Sequence, residues 1–228
     1  FDIKSTSTIG QWALNRMRSV IQPYTTTSIF NEWMNKNSDN TPYNPGLLGS
    51  GSDYTSWLQY IGVNSLDVGF KGDYGTYHSV YDSYTWMSIT DPDWELAKGI
   101  SQYLGLLAYD VVSNDKYPFN TTNIYVVLNK TYYDNLFQLQ RTYNCYIDTS
   151  SNTSMHNTFV NFLHAANSFD KAYKETTNID QIIQYNKILR ELPRKFFIDD
   201  GLPTRQYYKN LLVGPDIESG YAPQAFPL

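Results

Sequence analysis

The sequence predicts an α/β layer fold followed by a helical domain, and three observations support this prediction. Helical and strand-like patterns alternate in residues 1–115, which is the order of elements typical of an α/β layer fold. Residues 116–228 contain long stretches with apolar residues at helical spacing. The proline-containing stretch 113–119 separates the two parts, so we place the domain boundary near residue 115.

The composition is typical of a folded protein with an apolar core. The chain has 228 residues, of which 41% are hydrophobic, and its 21 tyrosines raise the aromatic share to 16%. Disordered chains are poor in aromatic residues. The net charge of −5 and the pI near 5.1 give no electrostatic case for binding to nucleic acid or to an anionic membrane surface.

The first half begins with two predicted helices. Residues 5–8 offer caps for a helix that Pro23 closes, and residues 28–35 predict a second, short helix with Phe30 and Trp33 inward. A loop rich in proline, glycine and asparagine then runs from residue 37 to the tight turn at 49–53. The apolar positions of the first helix are Ala13, Leu14, Met17, Val20 and Ile21.

The remainder of the first half predicts a helix, a strand and a long helix. Asp53 is the predicted cap of a helix over 54–61, and Gly62 ends it. A strand with one buried face is predicted where Leu66, Val68 and Phe70 alternate with polar residues or glycine. An amphipathic helix from about Asp93 has its apolar side at Ala97, Ile100, Leu104, Leu107 and Val111.

The second half predicts three helices and an irregular tail. The first helix covers about 124–140, and the third begins at Asn178 and ends or kinks at Pro193. Residues 148–157 predict an exposed loop, and the tail from Gly201 onward is predicted to be irregular. The second helix has apolar positions at Phe159, Phe162, Leu163, Ala166, Phe169 and Tyr173, and the third at Ile179, Ile182, Ile183 and Leu189.

Cysteine and glycosylation patterns bear on the compartment. Cys145 is the single cysteine, which excludes an internal disulfide framework, and no motif marks it as a nucleophile. Three N-glycosylation sequons, at Asn120, Asn129 and Asn152, favour a secreted or lumenal location. Within the given residues we expect neither a bilayer-spanning apolar run nor a signal peptide. The chain starts without methionine, so we expect it to be a piece of a longer protein.

His78 is the residue with the best case for binding a metal. It lies between aromatic residues in Tyr77-His78-Ser79-Val80-Tyr81-Asp82, and a carboxylate follows four residues later. Imidazole is a good zinc ligand, but catalytic zinc needs about three protein ligands and an open position. Further ligands must therefore come from elsewhere in this chain or from outside it. His156 and His164 lack such a context and are predicted to be structural.

Two long segments identify a family. Residues 48–62 read Leu-Gly-Ser-Gly-Ser-Asp-Tyr-Thr-Ser-Trp-Leu-Gln-Tyr-Ile-Gly, and residues 77–87 read Tyr-His-Ser-Val-Tyr-Asp-Ser-Tyr-Thr-Trp-Met. Both resemble the second half of the peptidase domain in the glutamate carboxypeptidase and transferrin receptor-like group of dinuclear zinc peptidases. The resemblance continues to Tyr-Ala-Pro-Gln-Ala-Phe-Pro at 221–227 and spans nearly the whole chain.

The resemblance implies roles for five residues. His78 matches a histidine that binds one of two zinc ions, and Tyr77 matches a tyrosine near the scissile carbonyl. A phenol there can donate to the developing oxyanion. Gly51 and Ser52 match the turn that lines the substrate cleft, and Tyr221 matches a tyrosine that reaches over the site from the helical domain.

The resemblance also implies the architecture and the partners. Residues 1–115 are expected to be the C-terminal portion of an α/β/α-sandwich peptidase domain. Residues 116–228 are expected to be a transferrin receptor-like helical dimerisation domain, cut at its C-terminus. The other zinc ligands and a catalytic glutamate would lie upstream, so the chain alone is expected to be inactive. A homodimer, a peptide substrate and a lumenal or extracellular location, in a fungal vacuolar member for example, are implied, and any membrane anchor would lie upstream.

The chain departs from the glutamate-specific members of the group. Those members carry two arginines in the region matching 64–70, an asparagine in place of Ser52 and a lysine in place of Gly220. Because such groups hold acidic substrates by charge-assisted hydrogen bonds, we predict neutral or broader peptide substrates. The alternatives are a catalytically inactive relative with a receptor or sorting role, and a purely structural dimerisation module.

Overall fold

The computed structural model describes residues 1–36, 45–144 and 148–227, and most of the regular structure in them is helical. The first half contains β1 (Asp2–Ser5), α1 (Ser7–Arg16), α2 (Ile29–Lys36), α3 (Tyr54–Ser56), β2 (Leu66–Gly69), α4 (Tyr84–Thr90) and α5 (Glu95–Ser113). The second half contains α6 (Thr122–Tyr143), α7 (Thr149–Glu175), α8 (Ile179–Glu191), β3 (Val213–Pro215) and β4 (Pro223–Ala225).

The strands of the described residues form two short antiparallel pairs. β1 pairs with β2 so that Lys4 lies opposite Asp67, and β3 pairs with β4 in the tail. Because side chains alternate along a strand, Ile3 points into the core and is 2% exposed, whereas Lys4 is only partly buried. Lys4 and Asp67, which have opposite charges, therefore lie together on the face of the strand pair opposite to Ile3.

The core of the first half lies between α1, α2 and α5. Tyr103 of α5 is fully buried, and its hydroxyl donates to the carbonyl oxygen of Ala13 at 2.8 Å. A buried hydroxyl needs such a partner, because leaving it unpaired costs free energy. Burial also raises the pKa of the Tyr103 hydroxyl well above its ordinary value. The buried residues of this core are Ile3, Ala13, Leu14, Met17, Val20, Ile29, Phe30, Trp33, Tyr103 and Leu107.

A buried carboxylate ties α5 to α1. Asp110 is 5% exposed and accepts hydrogen bonds from the guanidinium group of Arg16 and from Nε1 of Trp12, the latter at 2.8 Å. The hydrogen bonds from Arg16 are the main cause that lowers the pKa of Asp110 below its ordinary value. Such charge-assisted bonds are stronger than neutral ones, so the pair orients α5 on α1.

We expect this pair to make stability depend on pH in the acid range. The pKa of Asp110 is lower in the folded protein than in the unfolded chain, where it is about 3.9. Its contribution to the unfolding free energy is therefore complete above pH values near the unfolded-state pKa, and it is lost as the pH falls through the folded-state pKa. Asp110→Asn should cost about 1–2 kcal/mol at pH 7, and its unfolding free energy should fall less steeply below pH 4. Urea unfolding of both proteins between pH 3 and 7 measures this, and parallel curves would contradict it.

The helices of the second half pack around a separate cluster. Asp170 of α7 accepts from the backbone N–H groups of Thr121 and Thr122 at 3.0 and 2.9 Å, which caps the start of α6. A carboxylate is favoured there because the first N–H groups of a helix lack intrahelical partners. Asn178 caps α8 by accepting from the N–H of Gln181. The cluster contains Ile124, Leu128 and Phe159, with Tyr125, Tyr132, Phe162, Leu192, Phe196, Leu212 and Phe226 packed against it.

The predicted exposed loop at 148–157 is wrong. α7 begins at Thr149, and Asp148 caps it by accepting from the N–H of Ser151 at 3.0 Å. The first turns of α7 are polar because most of their side chains face solvent, so the apolar periodicity of the helix starts only near Phe159.

Other element boundaries and faces also differ from the predictions. α1 ends at Arg16 and continues as a 3-10 turn to Ser19, so Ile21 is exposed rather than buried. Asp53 makes no side-chain cap, and the turn after α3 is π-helical up to Gly62. The buried face of α5 is Gly99, Tyr103, Leu107 and Asp110, whereas the predicted Leu104 is 44% exposed. The tail contains β3 and β4, and Cys145 lies outside the described residues.

Within the described ranges, the helices are all too short or too polar to pass through a lipid bilayer.

Candidate substrate pocket

The glycine-rich turn before α3 lies against the C-terminal tail. The N–H of Ser50 donates to the carbonyl oxygen of Tyr221 at 3.1 Å, and the Ser50 hydroxyl donates to the carbonyl oxygen of Gly220. Gly49 allows this approach, since a Cβ there would lie 2.8 Å from the backbone nitrogen of Pro223. Two segments about 170 residues apart in sequence are thereby fixed next to each other.

Two tyrosines meet above this turn. The hydroxyl oxygens of Tyr77 and Tyr221 are 3.2 Å apart, and the Tyr221 hydroxyl is 3.3 Å from the carbonyl oxygen of Gly51. Gly51 has a φ of +84° and packs under the Tyr221 ring, where any Cβ would clash. Since each phenol has one proton, Tyr221 donates either to Gly51 or to Tyr77, and in the second case Tyr77 keeps its own proton for another acceptor.

The turn and the two tyrosines border an open pocket of about 570 Å³. Ser50, Gly51 and Ser52 form one wall of it, and the backbone of Gly51 there is left-handed. The complete lining is Lys4, Gly49, Ser50, Gly51, Ser52, Tyr54, Asp67, Lys71, Tyr77, Ser219, Tyr221, Ala222 and Pro223. The structure thus brings together Gly51, Ser52, Tyr77 and Tyr221, which the sequence predicted to contact substrate.

Three charged residues of the pocket were not among the predicted site residues. Lys4 and Asp67 come from the β1–β2 pair, and Lys71 follows β2 and forms an ion pair with Asp2. The sequence pattern that could have indicated these three residues is weak, because β1 has four residues and its partner strand lies more than 60 residues later. Pairing of the segment at 2–5 with the predicted strand at 66–70 would have placed Lys4 beside Asp67.

Tyr77 presents a neutral phenol to this pocket. The hydrogen bond with Tyr221 is the main cause that raises the pKa of Tyr77 above its ordinary value, and desolvation adds to the rise. The phenol therefore keeps its proton throughout the physiological pH range. The Tyr77 side chain is 56% exposed, so a ligand in the pocket has access to it.

His78 lies in a tight turn beside the pocket. It has a φ of +58°, in the left-handed region, and the turn is closed by the hydrogen bond from the N–H of Ser79 to the carbonyl oxygen of Thr76 at 3.0 Å. Its ring stacks on the ring of Tyr77, with centroids 3.8 Å apart. The imidazole is exposed, so it is open to a ligand.

The described residues offer one donor for zinc and not a complete site. In the parts of the chain that the structure describes, no three side chains of histidine, cysteine, aspartate or glutamate lie close enough together to hold a metal ion. An exposed imidazole fits the chemistry of a single zinc ligand, but zinc in proteins takes about three or four protein ligands. His78 alone therefore does not form a metal centre.

The remaining predicted positions lie away from the pocket. His156 is exposed on α7, with Nδ1 3.0 Å from the Tyr133 hydroxyl, and His164 is exposed on the same helix. Of the sequon asparagines, Asn120 is exposed in the loop before α6, Asn129 lies within α6 and Asn152 within α7.

Comparison with known proteins gives matches over the whole chain. Residues 150–228 match the transferrin receptor-like dimerisation domain. A probable glutamate carboxypeptidase of Arthroderma benhamiae is 34% identical over 99% of this chain and 32% of its own length. Probable glutamate carboxypeptidase LAMP1 of Arabidopsis thaliana is 30% identical over 89% of this chain and 29% of its own length. Aminopeptidase NAALADL1 of Rattus norvegicus is 22% identical over 84% of this chain.

The chain spans about a third of the length of these relatives. These relatives are named as carboxypeptidases and an aminopeptidase, so the family is peptidase-like. The family model that matches residues 150–228 describes a dimerisation domain. The chain therefore belongs to the glutamate carboxypeptidase and transferrin receptor-like family, and residues 150–228 match its transferrin receptor-like dimerisation domain.

Proposed function

We propose that the chain is the part of a zinc metallo-exopeptidase that supplies a wall of the peptide-binding cleft and one zinc ligand, His78. The observation that carries the proposal is the pocket in which Gly51, Ser52, Tyr77 and Tyr221 meet. The names of the relatives support peptide hydrolysis as the reaction. Because those relatives are about three times as long, we place the other zinc ligands and the general base in residues that this chain does not contain.

Tyr77 acts in this proposal as the donor to the reacting carbonyl. Its side chain is exposed to the pocket, and when Tyr221 donates to it the Tyr77 proton is free. In that arrangement Tyr77 can donate to a carbonyl oxygen and then to the oxyanion that develops from it. Tyr221 orients the Tyr77 hydroxyl by donating to its oxygen, and the Tyr221 ring is held in place by its packing on Gly51. Donors fixed before the reaction stabilise developing charge well because they need not reorganise.

Zinc would supply Lewis-acid polarisation of the carbonyl and a bound water of lowered pKa. His78 is the residue of this chain that would hold it. The stacking of the His78 ring on Tyr77 couples the orientation of that ligand to the orientation of the donor.

The pocket charges support neutral peptide substrates. Two lysines line it, but Lys71 is engaged by Asp2, and Lys4 lies opposite Asp67. Ser52 and Gly220 add no charge, in place of the asparagine and lysine expected of glutamate-specific enzymes. An acidic substrate would therefore meet little net positive charge.

The exposed surface supports packing against further polypeptide, as a truncated α/β/α sandwich requires. The chain exposes 14041 Å², about a third more than the roughly 10,600 Å² expected for a self-contained protein of 26.3 kDa. Val80 and Val112 are 89% and 82% exposed. Among the described residues, β1 and β2 pair as a two-stranded sheet, which is marginal by itself. We assign residues 1–115 to the peptidase domain and 116–228 to the helical domain.

We further propose a homodimer formed through the helical domain. Ile179 and Ile183 lie one turn apart on α8 and are 54% and 60% exposed, so they form an exposed apolar strip. Sedimentation of the full-length protein tests this, and a monomer at high concentration would contradict it. The three sequons support a lumenal or extracellular location in the secretory pathway, such as a vacuole.

Zinc analysis and peptide hydrolysis by the full-length protein test the peptidase function. We expect two zinc ions per protomer, a lower zinc content in His78→Ala, and release of amino acids from neutral dipeptides faster than from acidic ones. His164→Ala, on the exposed face of α7, is the matched control and should keep its zinc.

A protein that binds no zinc and cleaves no peptide would overturn the peptidase function. That result would favour the second candidate, an inactive receptor-like protein, which the transferrin receptor-like dimerisation domain supports. Faster cleavage of acidic dipeptides would overturn only the proposed specificity.

A further inference from the structure

One of the three sequons lies in a structural context that suits a glycan. Asn120 is exposed and precedes α6 in a loop, and its backbone N–H donates to the carbonyl oxygen of Thr8 at 2.9 Å. Its Oδ1 accepts from the N–H of Asn123 at 3.2 Å. The amide nitrogen, to which a sugar attaches, makes no hydrogen bond among the described residues and is left for the modification.

The two other sequons lie in helices that pack on each other. Asn129 is partly buried within α6, and its Oδ1 is buried without a hydrogen-bond partner in the described part of the chain. Asn152 is partly buried in the first turn of α7, and its Oδ1 accepts from the Tyr132 hydroxyl at 2.9 Å. A bulky sugar attached at either position would have to fit between packed side chains to reach solvent.

Asn120 also borders an open cleft of about 1210 Å³ between α1, the end of α5 and the end of α7. The rings of Trp12 and Phe119 line it, with centroids 5.8 Å apart, and the amide side chains of Asn15 and Asn114 lie along it. Sugar rings present C–H faces that pack on aromatic rings and hydroxyls that bond to amides. The rest of its lining is largely charged and polar. The cleft therefore offers both the aromatic faces and the hydrogen-bonding groups that a sugar would use.

We propose that Asn120 carries an N-linked glycan whose first sugars lie in this cleft against Trp12 and Phe119, and that Asn129 and Asn152 are unmodified. The glycan then bridges α1 of the first half and α7 of the second half. The proposal is independent of peptidase activity and rests on the proposed location in the secretory pathway.

Mass spectrometry of glycopeptides from the full-length protein, made in a eukaryotic secretory host, tests the site. Asn120→Asp should lose one glycan while it keeps the oxygen that accepts from Asn123, and Asn129→Gln and Asn152→Gln should lose none. A bare Asn120 beside a modified Asn129 or Asn152 would overturn the site but not the location. A protein without any glycan would overturn both.

An endoglycosidase that cleaves between the first two sugars tests the cleft. We expect the native protein to resist cleavage and the denatured protein to be cleaved completely. Trp12→Ala, combined with a thermal melt to show that it folds, should lose that resistance. Equal cleavage of native and denatured protein would overturn the placement in the cleft.

Discussion

Tyr77→Phe should lower kcat of the full-length enzyme about 100- to 1000-fold, the loss expected when one oxyanion donor is removed. KM for a neutral dipeptide should change little, because the hydroxyl acts mainly on charge that develops during the reaction. The ring and its stacking on His78 remain, so zinc content should be unchanged. Steady-state kinetics and zinc analysis of the same preparation measure the three quantities.

Tyr221→Phe is the matched comparison, since it removes the other hydroxyl of the same pair. Tyr77 keeps its proton in this variant but loses the partner that orients it, so we expect a smaller loss of kcat than for Tyr77→Phe. Both side chains are at least half exposed, so neither change should alter the unfolding free energy by more than about 0.5 kcal/mol. Unchanged kcat in Tyr77→Phe would show that the phenol is not the donor.

Local patterns predicted the long helices well. Asn178, followed by apolar residues at helical spacing, predicted the start of α8, and Pro193 predicted its end. The structure confirms this helix, and Pro193 lies in the 3-10 turn that follows it. The helix predicted at 124–140 is α6, extended by a few residues at each end. Such elements are predictable because capping and periodicity are properties of adjacent residues.

Features that depend on distant contacts were not predictable in the same way. β1 is four residues long, and only its pairing with β2 defines it as a strand. The face of α5 was misjudged because Asp110 is buried by an ion pair with Arg16 of α1, which hydrophobic spacing does not reveal. In the pocket, the resemblance indicated Tyr77 and Tyr221, whereas their hydroxyl contact follows from tertiary packing across 144 residues.

Gly51→Ala should abolish the pocket and destabilise the protein by about 3 kcal/mol. Part of this cost is the left-handed backbone, since φ of +84° is strained for alanine, and part is overpacking. A Cβ at Gly51 would lie 2.6 Å from Cε1 of Tyr221, so the ring must leave its place over the turn. The Tyr77–Tyr221 contact would then be lost, and kcat should fall at least as far as in Tyr221→Phe.

Gly72→Ala is the control, because a Cβ at Gly72 meets no atom within 4 Å and its φ is not in the left-handed region. Its unfolding free energy in urea and its kcat should match those of the unmodified protein. If Gly51→Ala also matched, the turn would tolerate a side chain beneath Tyr221. The two tyrosines would then be held together by contacts other than the close packing of this glycine.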